Sequence, residues 1–492
     1  MPLAHRSWAA APTPRRIAYI VGAVLVAGGA AALPAAAVGF VYGEWETSVD
    51  LLVMAALMLI TGGVTMLIVG KPDALRPKDA FAGVATAWIA VIAFGSLPYV
   101  FSGTLGAIDA LFESTSGFTT TGATVIDDLS TISHGLLFWR ATTQWLGGMG
   151  IIVLSIAVLP LVGAGSILLA RAETPGPDPD RLTPRMRGTA LRLWGLYFAL
   201  TLLVGLLLAF GDMTIFEAAA HSLTTVSTGG FSTESGSVGH YSAYTQWVII
   251  GFMVIAAASF SLHIRALRDP KEYLEKAEFR YYLAGLVIGT VALLGGIAMD
   301  AGGVPIREVI FTAIAMTTGT GYAVTDFALW PASLLAVILL MMFAGGMGGS
   351  TTGALKTYRV VIILKSAAAE VRRLTRPRTI SVTRFGKGRV PPEIIGAVRS
   401  YVVVYMVAFV LGMILLLYAE SLWGTEMDLV TGISAAASAI GNVGPGLGDV
   451  GPAGSYAALT APGKLVLGAL MILGRLEIYP AILLLTVSFW RR

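Results

Sequence analysis

Cysteine is absent from the 492 residues. That removes disulfide frameworks, thiolate metal sites, thiol catalysis and cysteine-held clusters together. Histidine is scarce as well: five occur, none in HxxxH or HExxH spacing, so a zinc site lacks ligands. Charge is the third shortage. Asp, Glu, Lys and Arg make up 13% of the chain, where a soluble protein carries about a quarter. So little charge cannot cover a soluble globule of this size, which argues against a soluble enzyme. No Walker motif or dinucleotide fingerprint is present, so dependence on ATP or NAD requires a separate chain. With a net charge of only +4, no nucleic-acid partner is expected.

What fills the space is apolar residues, at 56%, and 58 glycines. A helix needs about 20 apolar residues to cross the hydrocarbon. Candidate spans fall at 17–43, 51–70, 80–101, 135–159, 192–211, 245–264, 281–299, 330–345, 399–418 and 464–489. Four shorter apolar stretches, near 107–119, 214–226, 306–318 and 427–441, each end in a Gly/Thr/Ser/Asn run. They are too short to cross and suit re-entrant segments buried within protein. The expectation is an all-α polytopic membrane protein.

Basic residues set orientation. They collect at Arg6, Arg15 and Arg16; at Lys71, Arg76 and Lys78; in 171–192, 265–280 and 356–399; and at Arg491 and Arg492. Only Arg140, Arg307, Lys464 and Arg475 fall elsewhere, while the alternate connections carry Glu44, Glu46, Asp127, Asp128, Glu234, Glu420 and Glu426. Both termini are therefore expected in the cytoplasm. The N-terminal apolar run is too long for a typical signal peptide, and cleavage would make the span count odd, so it is read as a retained span.

The four short stretches end in related strings: TTTGAT (119–124), VSTGGF (226–231), TTGTGY (317–322) and IGNVGP (440–445). Aligned on one glycine, they bring Gly122, Gly229, Gly321 and Gly444 into register. The spacing is too long and uneven for a solenoid. Each interval instead holds a span, a short segment and another span. This divides the chain into an N-terminal transmembrane hairpin at 1–79 and four pore repeats at 80–190, 191–280, 281–398 and 399–492. An acid opens each short segment: Asp109, Glu217, Glu308 and Asp428. These acids can stabilise helix N-termini or concentrate cations at an outer mouth, and both roles can hold together.

A re-entrant helix that stops at mid-membrane points its carbonyl end at the centre. Four extended loops behind four such helices can replace a cation's hydration shell with backbone carbonyls. Glycine permits the backbone angles this needs. Asp or Glu within the loops would favour divalent ions, and none occurs there. Glycine-rich helix packing is the simpler origin of many of the other glycines, Gly468 and Gly474 included.

These strings, together with GGMGGSTTGALKTYR (345–359) and LGRLEIYP (473–480), resemble the membrane subunit of bacterial Trk/Ktr potassium uptake systems. The extra N-terminal hairpin makes the chain more similar to the Trk-type subunit. The resemblance implies potassium-selective uptake through a single-chain pore in the cytoplasmic (inner) membrane. It also implies a homodimer and a TrkA-like cytosolic ring that binds a nucleotide, ATP/ADP or NAD. Carried over residue by residue, the filter glycines are Gly122, Gly229, Gly321 and Gly444. The main carbonyls then belong to Thr120 and Thr121, Ser227 and Thr228, Gly319 and Thr320, Asn442 and Val443. Gly319 stands where the family usually has Thr, so Gly319 itself is an alternative filter glycine for the third repeat.

Two gate candidates follow. Gly345, Gly346, Gly348, Gly349 and Gly353, interleaved with Ser350, Thr351 and Thr352, cannot form a stable helix at about 1 kcal/mol per glycine. The run is a cytoplasmic boundary loop or, as the resemblance implies, an intramembrane loop obstructing the pore. Arg475 sits near the middle of span 464–489, where a central Arg costs roughly 2.5–3.5 kcal/mol and must face the interior or water. An ion pair with Glu477 is disfavoured on a helix, since residues two apart do not share a face. The resemblance makes Arg475 an electrostatic barrier below the filter. The basic stretch 356–399 suits topology, acidic lipid or a docking partner. A sodium- or proton-coupled secondary cation transporter remains the alternative function. An intramembrane enzyme lacks paired acids, a Ser–His pair or a metal constellation.

Overall fold

The computed structural model describes residues 13–72, 77–157, 183–299, 305–376, 378, 382–424 and 426–490. Arg6, Arg76, Arg171, Arg181, Arg491 and Arg492 of the orientation argument lie outside the described residues, as does the end of span 135–159.

Helices Pro14–Val41 and Trp45–Val69 form the N-terminal hairpin. Small residues let their backbones touch: a β-carbon at Gly62 would lie 2.5 Å from the Gly22 carbonyl oxygen, and one at Gly22 would lie 2.8 Å from that of Gly62. The hairpin is tied to the rest by Glu44, whose carboxylate accepts from the backbone N–H groups of His134 and Gly135 at 2.8 and 3.0 Å.

The remainder is built from four repeats of a helix, a short helix, a loop and a second helix. The short helices are Ala107–Phe118, Ile215–Val226, Ile306–Thr317 and Leu429–Gly441. At about 1.5 Å per residue each rises roughly 18–20 Å, well short of the ~30 Å of hydrocarbon. Two of their acids cap their own helices. Thr214 and Glu217 form a capping box, and Asp428 accepts from the Val430 N–H. Asp109 instead receives Lys464 Nζ at 2.6 Å. The second helix of each repeat packs against the short helix of the next: His134–Ala157 on Ile215–Val226, Ala243–Ala256 on Ile306–Thr317, Ala332–Phe343 on Leu429–Gly441, and Ala461–Arg475 back on Ala107–Phe118. The order closes on itself, so the four short helices surround one axis.

Among the described residues, six helices are long and apolar enough to cross a membrane. Three expected spans are broken. Span 245–264 becomes Ala243–Ala256 and Phe260–Ala266, bent by 97°. Span 330–345 is helical only over Ala332–Phe343, because the glycine run begins at Gly345. Span 464–489 ends its first helix at Arg475 and resumes at Tyr479, with Glu477 and Ile478 in left-handed backbone at φ 58° and 55°. Breaks inside a membrane need internal partners. Here the first two supply each other: the Met347 N–H donates to the Ala257 carbonyl at 2.9 Å, and the Phe260 N–H to that of Gly349 at 3.1 Å.

Gly62→Leu is expected to separate the N-terminal hairpin and cost about 1–3 kcal/mol. A thermal melt of the detergent-solubilised protein checks this, and an unchanged melting temperature would contradict the close backbone packing.

Candidate functional site: the four-loop constriction

All four short helices end in the same way. A residue in left-handed backbone follows the helix: Thr120 at φ 53°, Thr228 at 52°, Gly319 at 65° and Asn442 at 53°. Its N–H bonds the carbonyl three residues back, and the next N–H reaches five back, at 2.9–3.3 Å throughout. This is a Schellman ending, whose left-handed position is usually glycine and sometimes asparagine. Gly319 and Asn442 fit that preference. The two β-branched threonines do not, and such residues hold strained backbone only where their surroundings impose it.

Two residues further on, each loop has a glycine in left-handed backbone: Gly122 at φ 85°, Gly230 at 76°, Gly321 at 75° and Gly444 at 110°. The expected register is therefore corrected in the second repeat, where the equivalent glycine is Gly230 and not Gly229. Ser227 moves with it and becomes the helix C-cap, bonding Leu223 O through Oγ at 2.8 Å. The equivalent first and second positions are Thr120 and Thr121, Thr228 and Gly229, Gly319 and Thr320, Asn442 and Val443. The third repeat keeps Gly321, and Gly319 is its helix-ending residue.

In each loop the two left-handed positions flank one residue that is not left-handed. The loops also interlock. A β-carbon at Gly122 would lie 2.3 Å from Gly229 O, at Gly230 1.9 Å from Thr320 O, at Gly321 1.8 Å from Val443 O, and at Gly444 2.8 Å from Thr121 O. Each glycine thus receives the second-position carbonyl of the next repeat, and the fourth returns to the first. On one side the ring opens into a cavity of about 260 Å³, lined by Gly122, Gly230, Gly321 and Gly444 with Asp127 and Glu234 on its wall. Asp109, Glu217, Glu308 and Asp428 are not among its lining residues.

The glycine run lies against the ring from below the first position. Its ends are held together by Gly345 N–H to Leu355 O at 2.8 Å and Leu355 N–H to Phe343 O at 3.1 Å. Gly346 N–H donates to Thr352 Oγ1, Gly348 N–H to Glu278 Oε1, and Ser350 Oγ to Met347 O. A β-carbon at Gly353 would lie 2.3 Å from Gly441 O, so the run touches the fourth short helix through bare backbone. Thr351 reaches the second loop: Thr228 Oγ1 donates to its hydroxyl at 3.3 Å. Lys356 Nζ bonds the Thr352 carbonyl within the same turn.

Arg475 is buried and converges on the same place. Its Nη1 donates to Thr351 O at 2.7 Å and Nη2 to Gly147 O at 3.0 Å, while Nε has no protein partner. Glu477 is not its counterion. The carboxylate pairs with Arg359, whose guanidinium lies 3.8 Å from the centre of the Tyr401 ring. So the structure brings the glycine run and Arg475 together beneath the loops.

Sequence reasoning missed Gly230, Gln144 and the Glu113–Arg140 pair. Gly230 was visible as the second member of a Gly-Gly pair. Arg140 was visible as a basic residue outside the basic segments. Gln144 carries no sequence signal, yet its side chain fills the space a β-carbon at Gly229 would need, at 2.3 Å.

A family model described as TrkH, cation transport protein, matches residues 51–294 and 295–490. The Trk system potassium uptake protein TrkH of Halomonas elongata is 38% identical over 427 residues, covering 85% of this chain and 87% of its own. Its namesake in Escherichia coli K12 is 35% identical over the same length, and TrkG of that strain is 34% identical over 469 residues, with 93% and 95% covered. A crystal structure of the potassium transporter TrkH from Vibrio parahaemolyticus superposes with a TM-score of 0.88 at 32% identity, over 97% of this chain and 99% of that one. These are transport proteins and not enzymes, and the chain belongs to the TrkH family of cation transport proteins.

Proposed function

We propose that this chain carries potassium across the cytoplasmic membrane through the ring of four loops, with Thr120 to Gly122, Thr228 to Gly230, Gly319 to Gly321 and Asn442 to Gly444 as its selectivity filter. The observation that carries the reading is the closed circuit of glycines and carbonyls. A ring of neutral backbone carbonyls substitutes for the hydration shell of a monovalent cation. The relatives named as potassium uptake proteins point to potassium as that ion. The cavity on the far side of the ring from Arg475 is its outer vestibule, with Asp127 and Glu234 favouring cation entry.

The glycine run 345–353 and Arg475 form the gate. A guanidinium charge beneath the ring opposes a passing cation, and a loop of glycine and small hydroxyl residues can change shape at little steric cost. The basic segments lie on the cytoplasmic side, placing both termini there. Arg372, Arg373, Arg376 and Arg378 sit at or beyond the end of helix Thr357–Thr375, which leads directly from the gate run. They suit contact with acidic lipid or with a nucleotide-binding regulatory ring, and the pore subunit assembles as a homodimer. The buried carboxylates Glu113 and Glu477 are each paired with arginine, and Glu420 accepts from Thr460 N–H and Oγ1. With these carboxylates engaged, passage through the ring is favoured over a carboxylate relay for a coupling ion.

Reconstituted alone or with its cytosolic partner, the chain is expected to pass potassium in preference to sodium. Gly122→Ser places a side chain at φ 85° against Gly229 O, and should lower the potassium-to-sodium flux ratio by about tenfold, equal to roughly 1.4 kcal/mol. Equal flux of both ions through the unmodified chain would overturn the selectivity reading.

A unit charge about 5 Å from a cation opposes it by roughly 3 kcal/mol at an effective dielectric of about 20. Arg475→Ala is therefore expected to raise the basal cation leak of vesicles by about tenfold or more. An unchanged leak would remove Arg475 from the gate.

A further inference from the structure

We infer that Gln144 is a positioning residue for ion discrimination, clamping the second filter loop with the help of the Arg140–Glu113 pair. The inference rests on the pore reading above. It starts from an inequality among the loops. At the second filter position, Thr121 Oγ1 bonds Thr119 Oγ1 at 2.7 Å, Thr320 Oγ1 bonds Thr318 Oγ1 at 2.8 Å, and Val443 is fully buried. The second repeat has Gly229 there, followed by Gly230. Two adjacent glycines make this the loop with the most backbone freedom to lose, and no side chain of its own fixes its carbonyl.

The missing side chain is supplied from another repeat. Gln144, fully buried on helix His134–Ala157, donates through Nε2 to Gly229 O at 2.7 Å and accepts at Oε1 from the Phe231 N–H at 3.1 Å. One amide thus brackets Gly230 from both sides. Only this orientation of the amide satisfies both backbone groups. One turn earlier on the same face, Arg140 donates through Nη1 to Ser232 O at 3.1 Å and lies 4.1 Å from the centre of the Phe231 ring. Arg140 is itself fixed by Glu113, Nε to Oε1 at 2.8 Å, and Glu113 Oε2 accepts from the Val125 N–H at 3.0 Å. The ion pair is buried on both sides, at 1% and 0% exposure, so its geometry is not loosened by water.

Selection between two monovalent ions by carbonyls depends on how many reach the ion and how firmly they are held. Without the amide, Gly229 O and the Gly230 backbone are free to follow a smaller ion inward, and sodium is no longer under-coordinated. The effect of losing the clamp is therefore a rise in sodium passage rather than a simple loss of transport.

The test uses the full chain in vesicles, with potassium and sodium fluxes measured on the same preparations. Gln144→Met keeps the volume and removes both hydrogen bonds; Gln144→Glu keeps the acceptor and sets a carboxylate against Gly229 O. Both are expected to lower the potassium-to-sodium ratio by about tenfold. Gly229→Ala provides a readout that general destabilisation would not give. Its methyl would meet Gln144 at 2.3 Å, so alone it should be harmful, whereas in a Gln144→Ala background it has room and should raise the ratio above that of Gln144→Ala alone. Unmodified protein that selects potassium, with Gln144→Met equally selective, overturns the clamp and leaves the pore reading standing. Unmodified protein that passes both ions equally overturns the pore reading and the clamp with it. If Gln144→Met does not fold by size-exclusion chromatography, the Gly229→Ala pair decides, and absence of rescue overturns the clamp.

Discussion

The approach of each loop's second carbonyl to a glycine on the neighbouring loop constrains everything around it. At 1.8–2.8 Å from where a β-carbon would stand, these contacts leave no space for any other residue at Gly122, Gly230, Gly321 or Gly444. They also make the loops interdependent, since each fixes the next and the fourth fixes the first. A ring of this kind needs four short helices ending at one depth around one axis. It needs second helices that wedge between them, which is the cyclic packing observed. The left-handed threonines at 120 and 228 belong to the same constraint: backbone that would relax in isolation is held by neighbours that cannot move.

Much of this was legible in the sequence because glycine has few reasons to recur in polar strings behind short apolar segments. The four short helices and the four-repeat plan follow from that pattern alone. The register did not follow everywhere. In VSTGGF two glycines compete, and the choice is made by Gln144, which is 85 residues earlier and fills the side-chain space at Gly229. In TTGTGY the competition is settled locally, because a helix ending prefers glycine in its left-handed position and Gly319 takes that place. The bend within span 245–264 was illegible for a different reason. Residues 247–258 run up to the bend without a polar side chain, and hydropathy carries no information about backbone hydrogen bonds that are completed from another repeat.

Charge inside the protein is organised by the same economy. Arg140 answers Glu113 and Arg359 answers Glu477, so two carboxylates and two guanidiniums are buried as pairs with further hydrogen bonds. Burying an ion without such partners costs several kcal/mol. Arg475 differs from these pairs, because its partners are backbone carbonyls and its Nε has none in the protein. A positive charge held only by dipoles is poorly neutralised. The left-handed turn at Glu477 and Ile478 lets Arg475 do this while Glu477 points elsewhere.

These groups meet at the second loop. Gln144 holds Gly229, Thr228 donates to Thr351, Arg475 donates to the Thr351 carbonyl, and Arg475 also donates to Gly147, three residues beyond Gln144 on the same helix. The contacts form a closed path from helix His134–Ala157 through the second loop, the glycine run and Arg475 back to that helix. Movement of Thr351 away from its place breaks the bonds to Thr228 and to Arg475 together. A gate that opens by such a movement therefore alters the support of one filter loop and not of all four. By thermodynamic reciprocity, an ion that stabilises the second loop through these contacts must bias the glycine run by the same free energy. The pseudo-fourfold ring is thus asymmetric at the one loop whose own residues, a Gly-Gly pair, give it least stiffness.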